Sequence, residues 1–270
     1  MKITFLGGGN MANALIGGML KQGFAAADIT VIDPGSEARQ KLAASCGVTC
    51  LASADQLGTA GDLLVLAVKP QQMKEAVLPL VGKLGNAVVV SIAAGLDLET
   101  LARFLGGHRK IVRCMPNTPA LIGAGITGLC PLPEVSGEER AAADRVLRAV
   151  GNTVWIADEV RMDGVTALSG SGPAYVFLFI EAMQQAAADL GFTPEQGRQL
   201  AIETVQGAAA LAAQSSEPAS VLRERVTSKG GTTAAALQVM AETGVKEGIV
   251  AGIMAAEARG RELGKQLGAA

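Results

Sequence analysis

The sequence predicts an α/β chain in two parts: an N-terminal doubly wound parallel sheet and an all-helical C-terminal half. Three observations carry that expectation. A glycine-rich turn follows directly on an apolar run at the N-terminus. Short apolar and β-branched runs then alternate with helical periodicity as far as Ala157, the pattern of a parallel sheet covered on both faces. Beyond Ala157 no convincing strand remains, which divides the chain into residues 1–157 and 158–270.

The first strand, Ile3–Leu6, opens on Gly7-Gly8-Gly9-Asn10-Met11-Ala12. Gly7, Gly9 and Ala12 occupy the three small-residue positions of a G-x-G-x-x-G/A turn. The first permits the tight turn, the second lets backbone approach a pyrophosphate, and the third keeps the helix close to the sheet. The helix that follows, Met11–Lys21, offers phosphates unpaired N–H groups and the positive end of its dipole. A second strand, Ile29–Ile32, ends on Asp33. That is about 20 residues past the turn, where an acid bonds the adenosine ribose, which favours NAD. Ser36 and Arg39 could instead receive a 2′-phosphate, and an ordinary exposed helix residue is an equally good reading of Arg39. Further strands are expected at Leu63–Val68, Ala87–Ser91 and Lys110–Cys114, with weaker ones at Gly125–Leu129 and Thr153–Ile156. Helices are expected at Ser36–Ser45, Gln72–Leu80, Leu98–Leu105 and Gly137–Val150.

In the second half, a helix over Glu159–Leu168 is interrupted by Ser169-Gly170-Ser171-Gly172-Pro173. Pro173 suits the first turn of the next helix, Ala174–Leu190, and Gly191 its end. Thr193-Pro194 reads as N-cap and first residue of a helix to Gln214, with Gln196 completing a capping box. Ala219–Val226, Thr232–Glu242 and Val245–Leu267 follow. Alanine-rich faces around Ala186–Ala188 and Ala208–Ala210 suit close packing, either inside one subunit or across a dimer interface.

Candidate chemistry gathers at strand ends. Pro70 lacks an N–H and holds Lys69 extended, so the chain leaves the sheet at Ala67-Val68-Lys69-Pro70. Ser91-Ile92-Ala93-Ala94-Gly95 ends the next strand with small residues that let a flat ring approach. Met115-Pro116-Asn117-Thr118-Pro119 makes a stiff loop with one amide and one hydroxyl, either a wall for a reacting ring or a plain rigid turn. In the helical half, Gly230-Gly231 precedes a helix starting near Thr232. The N–H groups of Ser228, Gly231 and Thr232 could hold a carboxylate there, with the Thr233 hydroxyl beside the substrate. A capped loop–helix junction explains the same pattern.

Composition narrows the field. With 49% hydrophobic but only 3% aromatic residues, Ala, Leu, Val and Gly must do the packing. A formal charge of −2 and short basic runs leave no footprint for nucleic acid. No apolar stretch is expected to span a membrane, the longest near the middle being Ala174–Ile180, and Met1-Lys2 leads into a strand rather than a signal peptide. Four cysteines without a C-x-x-C pair fit free thiols in a reducing cytoplasm. A single histidine, His108, argues against a histidine-rich metal site or a Ser-His-Asp triad, so no metal is expected.

The segments Gly-Gly-Gly-Asn-Met-Ala, Ala-Val-Lys-Pro-Gln, Ala-Ala-Gly, Met-Pro-Asn-Thr-Pro, Ser-Gly-Ser-Gly-Pro-Ala-Tyr and Thr-Ser-Lys-Gly-Gly-Thr-Thr occur in that order. Together they resemble the pyrroline-5-carboxylate reductase family across nearly the whole chain. The resemblance implies the last step of proline biosynthesis, NADPH as the usual cofactor with NADH as an alternative, and a Rossmann domain followed by a helical dimerisation domain. It also implies a homodimer, often assembled into a larger ring. By motif, Gly7, Gly8, Gly9, Asn10, Met11, Ala12, Asp33, Ala67, Val68, Lys69, Pro70, Ala93, Ala94 and Gly95 would meet the dinucleotide. Ser228, Gly231, Thr232 and Thr233 would meet the substrate, with Thr233 the best candidate to hydrogen-bond the ring nitrogen. Two departures stand out: Asp33 replaces the small or neutral residue common in NADPH-using members, and Ser215–Pro218 is one residue longer, so Glu217 is not carried over. The rival readings are a β-hydroxyacid dehydrogenase or ketopantoate-type reductase, which would want a lysine such as Lys229 near the nicotinamide, and a non-catalytic dinucleotide-binding protein.

Overall fold

The computed structural model describes residues 1–268. The chain divides into two compact units, Met1–Ser171 with the chain from Ala256 on, and Gly172–Ala255. In the first unit β1 (Ile3–Leu6), α1 (Asn10–Lys21), β2 (Ile29–Ile32), α2 (Ser36–Cys46) and β3 (Thr49–Leu51) come in sequence. They are followed by β4 (Leu63–Leu66), α3 (Met73–Val77), β5 (Val88–Ser91), α4 (Leu98–Phe104), β6 (Ile111–Met115), β7 (Gly125–Pro131), α5 (Gly137–Leu147) and β8 (Gly151–Trp155). The sheet order is β3-β2-β1-β4-β5-β6-β7-β8. The order reverses direction between β1 and β4, so a crevice opens beyond the carboxyl ends of those two strands.

The parallel sheet expected from sequence is present, with one antiparallel pair toward its edge that the sequence reading did not foresee. β6 and β7 pair antiparallel, Arg113 opposite Cys130, and β8 runs parallel to β7. The connection from Pro116 to Ala124 is too short for a parallel crossover, which takes about a dozen residues or more, so the chain turns back on itself. β3 was not anticipated. It is three residues long at the sheet edge and only partly buried, which leaves no apolar run to read.

The strands bury both faces. Ile3 and Phe5 lie under Leu15, Ile16 and Met19 of α1 and Val146 and Leu147 of α5. Leu64 and Leu66 face Met73 and Val77 of α3 and Leu98 and Leu101 of α4. With so few aromatic residues, close approach does the packing. A Cβ on Gly18 of α1 would collide with the Ala149 carbonyl, so only glycine fits there.

The expected boundary at Ala157 does not coincide with the division between the units. After β8 come a 3-10 turn at Glu159–Arg161, α6 (Met162–Val165) and a π turn at Thr166–Gly170, all in the first unit. Met162 is fully buried in the sheet's second core, and a Cβ on Gly128 of β7 would lie 2.6 Å from Val165. Arg113, buried in β6, pairs with Glu159 at 3.1 Å and Asp163 at 2.9 Å. Glu159 also accepts the Leu98 N–H at 2.7 Å. These contacts tie residues 159–165 to the sheet.

The interruption expected at Ser169–Pro173 is also corrected. The chain stays helical through the π turn into α7 (Gly172–Asp189). The resulting run, Glu159–Asp189, is 31 residues long, and by length and composition alone it could cross a membrane. Reading the apolar run as broken at Ser169–Pro173 hid that length.

The second unit holds α7, α8 (Pro194–Gln214), α9 (Ala219–Arg225), α10 (Thr232–Glu242) and the start of α11 (Val245–Gly268). The predicted capping box is present: Thr193 accepts the Gln196 N–H, and Gln196 accepts the Thr193 N–H at 3.0 Å. α7 and α8 meet through small residues, a Cβ on Gly197 coming within 3.0 Å of Ala187. Large apolar side chains nonetheless remain exposed, among them Phe177 at 59% and Leu178 at 66% on α7 and Met254 at 60% on α11.

Arg113 is the partner of two carboxylates and is almost wholly buried, so its loss strands both charges. Arg113→Met is expected to cost roughly 3 kcal/mol, the low end for breaking a buried pair because both acids retain some solvent. Urea denaturation of the full chain, compared with wild type, measures it.

Candidate active site

The glycine turn is built by close approach. Gly7 has φ +102°, and a Cβ there would lie 2.7 Å from the Ala67 carbonyl oxygen, so the turn out of β1 accepts only glycine. Its N–H donates to Ile32 O at 2.8 Å, and the Ala67 N–H donates to Leu6 O at 2.8 Å, so the turn sits between β2 and β4. Gly9 is different: no atom lies within 4 Å of where its Cβ would be. Gly9 is also the N-cap of α1, with no side-chain cap and no acid in the first turn. The uncapped N–H groups of Asn10, Met11 and Ala12 and the open space over Gly9 fit a dinucleotide's pyrophosphate. Ala12 itself is fully buried against the sheet.

Asp33 organises this turn. Its carboxylate accepts the Gly8 N–H at 2.7 Å and the Gly35 N–H at 2.8 Å. Arg39 donates to the carbonyls of Asp33 and Pro34, each at 2.7 Å. Its guanidinium is thus held at the β2–α2 turn rather than loose on a helix surface. Ser36 starts α2 and is exposed.

The other strand ends behave unequally. Lys69 is extended at φ −61° and ψ 142°, as its following proline requires, and exposed, while Ala67, Val68 and Pro70 are half-buried. In the β5 turn, Ala93 is core and Gly95 packs on α11, where a Cβ on Gly264 would lie 3.0 Å from Gly95 O. Ala94 is the exposed residue of that turn. Asn117, read from sequence as a wall residue, is buried, with its amide bonded to Ser169 O at 3.2 Å and Ile126 N at 2.9 Å. The buried Arg113 was missed; a lone charge inside the apolar run Ile111-Val112-Arg113-Cys114 was the available signal.

In the second unit, Ser228–Thr233 forms a tight turn into α10. The Gly231 N–H donates to Ser228 O at 3.0 Å. It is therefore engaged within the turn, which corrects the expectation that Gly231 offers its N–H to a carboxylate. Gly231 caps α10 with main chain only, and the helix carries no acid in its first turn. The N–H groups of Thr232 and Thr233 belong to that first turn, with Thr232 and Ser228 exposed and Thr233 half-buried. Glu217 pairs with Arg225 at 2.6 Å.

The remaining reactive side chains are committed elsewhere. Burial pushes the Cys114 thiol well above its usual pKa and raises that of Cys130. The His108 ring is 2.9 Å from Ala87 O, and burial lowers its pKa. Neither arrangement makes a nucleophile.

Comparison with known proteins gives a consistent picture. A family model described as pyrroline-5-carboxylate reductase dimerisation matches residues 159–263, and one described as NADP oxidoreductase coenzyme F420-dependent matches residues 2–95. A pyrroline-5-carboxylate reductase of Pseudomonas aeruginosa is 42% identical, covering 99% of this chain and 98% of its own. The solved structure of a pyrroline-5-carboxylate reductase from Coxiella burnetii superposes with a TM-score of 0.91 at 38% identity, covering 97% of this chain and 98% of that one. A pyrroline carboxylate reductase of Plasmodium falciparum, solved with NADP bound, gives 0.87 at 28% identity, covering 98% of each chain.

The open space over Gly9 makes a specific variant informative. A Cβ at Gly9 has no protein atom within 4 Å, so Gly9→Val is expected to keep the fold while blocking the approach of a pyrophosphate. Dinucleotide affinity, followed by fluorescence titration, is expected to fall roughly tenfold or more, with the unfolding midpoint unchanged.

Proposed function

The chain belongs to the pyrroline-5-carboxylate reductase family, and on that footing we propose that it reduces 1-pyrroline-5-carboxylate to L-proline with NADPH. The observation that carries the reading is full-length similarity to reductases of that name, joined to a glycine turn open at Gly9 and closed at Gly7. The rival hydroxyacid dehydrogenase reading has no comparable support.

Gly7 to Ala12 hold the pyrophosphate, with the N–H groups of α1 as donors. Ala67 to Pro70 and, in the Ala93–Gly95 turn, the exposed Ala94 line the crevice toward the nicotinamide. The bound dinucleotide supplies hydride from nicotinamide C4. The ring of the substrate accepts it at C5, the C=N π pair moves onto nitrogen, and the protonated imine becomes the secondary amine of proline. A protonated imine is already electrophilic, so orientation and charge stabilisation supply most of what the protein adds. Thr232 and Thr233 N–H groups, with Ser228, hold the substrate carboxylate. The Thr233 hydroxyl, able to donate or accept, bonds the ring nitrogen in both imine and amine. Arg39, fixed at the β2–α2 turn, faces the 2′-phosphate, while Asp33 clamps the glycine turn. Both cofactors therefore work, with NADPH ahead. Oxidation of NADPH and NADH followed spectrophotometrically with pyrroline-5-carboxylate tests the reading, and no oxidation of either would end it.

The helical unit serves as the dimer interface. Its exposed apolar side chains on α7 and α11 lie inside the segment matched by the dimerisation family, and that segment takes in the whole of the apolar Glu159–Asp189 run. A protein partner, rather than lipid, covers them. Dimers assemble further into a ring, the enzyme works in the cytoplasm, and with a formal charge of −2 it engages no nucleic acid. Sedimentation at micromolar concentration is expected to give a dimer or larger; a monomer would contradict this.

Thr233 gives the sharpest test of the substrate site. Thr233→Val nearly preserves shape and removes one hydrogen bond to a charged group, worth roughly 1.5–3 kcal/mol, or about 10- to 150-fold in kcat/KM. NADPH affinity should not change. A valine variant as active as wild type would leave Thr233 as a helix-start residue only.

A further inference from the structure

A proline at the start of α7 leaves one carbonyl without its intrahelical donor. In a regular helix Ser169 O accepts the N–H of residue 173, and Pro173 has none. The chain there forms the π turn Thr166–Gly170, closed by the Ser171 N–H on Thr166 O at 2.9 Å. Such single π turns inside helices are frequent at functional sites. Ser169 O takes its hydrogen bond from Asn117 Nδ2 at 3.2 Å instead. At the other end of the same amide, Asn117 Oδ1 accepts the Ile126 N–H at 2.9 Å. The side chain is buried, so both bonds form away from competing water.

The position of this amide gives it a role beyond folding. Asn117 lies two residues past the end of β6, at the carboxyl edge of the parallel strands. The neighbouring strand, β5, leads at that same edge into Ala93–Gly95. The π turn is also pressed on β6, since a Cβ on Gly170 would lie 2.7 Å from Met115 Cε. One side chain thus fastens the loop after β6, the start of β7 and the π turn to one another.

We propose that Asn117 is a positioning residue of the reductase: by satisfying the Ser169 carbonyl that Pro173 leaves unpaired, it holds the π turn against Met115 and fixes the crevice wall beside the reacting ring. This rests on the reading of the chain as a pyrroline-5-carboxylate reductase with its nicotinamide at the strand ends. Each end of the amide is engaged by the protein, so Asn117 acts through the wall and not on the substrate.

Two measurements test it. In Asn117→Ala, kcat with pyrroline-5-carboxylate is expected to fall roughly tenfold or more at temperatures where the enzyme is folded, because the ring is misoriented. NADPH affinity, set by the main-chain N–H groups of the glycine turn, which Asn117 does not bond, is expected to change less than kcat. Folded Asn117→Ala with wild-type kcat would overturn the positioning role. The second measurement is a double-mutant cycle in urea that needs no activity. Pro173→Ala restores a donor for Ser169 O, so the midpoint loss caused by Asn117→Ala should shrink to about half or less in that background. An undiminished loss would overturn the clamp. Should Asn117→Ala not fold, the double variant is expected to fold and supplies the kinetic comparison; its failure to fold beside a folded Pro173→Ala also overturns the clamp. A wild-type enzyme that oxidises no NADPH with the imine would sink the underlying reading, and is distinguishable because the stability coupling would persist.

Discussion

The approach of Gly7 to the carbonyl of Ala67 is the constraint on which the crevice depends. β1 and β4 lie side by side at the point where the strand order reverses, and the chain must leave β1 across the end of β4. A Cβ on Gly7 would enter the van der Waals shell of that carbonyl, and its positive φ is one that side chains rarely adopt. The hydrogen bonds from Gly7 to Ile32 and from Ala67 to Leu6 form because the backbone comes this close. Asp33 then draws in the next peptide through Gly8, so the turn is held from both neighbouring strands.

The same economy recurs through the first unit. A chain with 3% aromatic residues cannot fill a core with large rings, and it closes its contacts by omitting side chains instead. Gly18 lets α1 settle on Ala149, Gly128 lets Val165 onto β7, and Gly264 lets α11 onto Gly95. These contacts place main chain against main chain or against one methyl group, a geometry that tolerates little lateral play.

Charge and hydrogen bonding do what packing cannot at the end of the sheet. Arg113, beneath residues 159–163, spends its guanidinium on two carboxylates. Asn117 spends its amide on two peptides. Both side chains are buried polar groups with partners at both ends, the condition under which such groups specify a single arrangement rather than cost stability. They explain why the 159–171 segment belongs with the sheet.

Local signals determined much of this protein. The glycine turn, the order of strands and helices, the Thr193 capping box, the extended Lys69 before Pro70 and the helix start at Thr232 all follow from residues within a few positions of one another. The ordered motifs carried the family. What the sequence did not disclose depends on partners distant in the chain. The reversal at β7 follows from the length of a loop that lies between two strands of ordinary pattern. β3 is too short to show a period. The Ser169 carbonyl in the π turn takes a hydrogen bond from Asn117, dozens of residues earlier. Gly231 reads as an anion donor until its N–H is seen bonded to Ser228 O. A hydrogen bond or close contact between remote residues has no signature in either residue alone, so only the tertiary structure could decide where each amide, carbonyl and buried charge finds its partner.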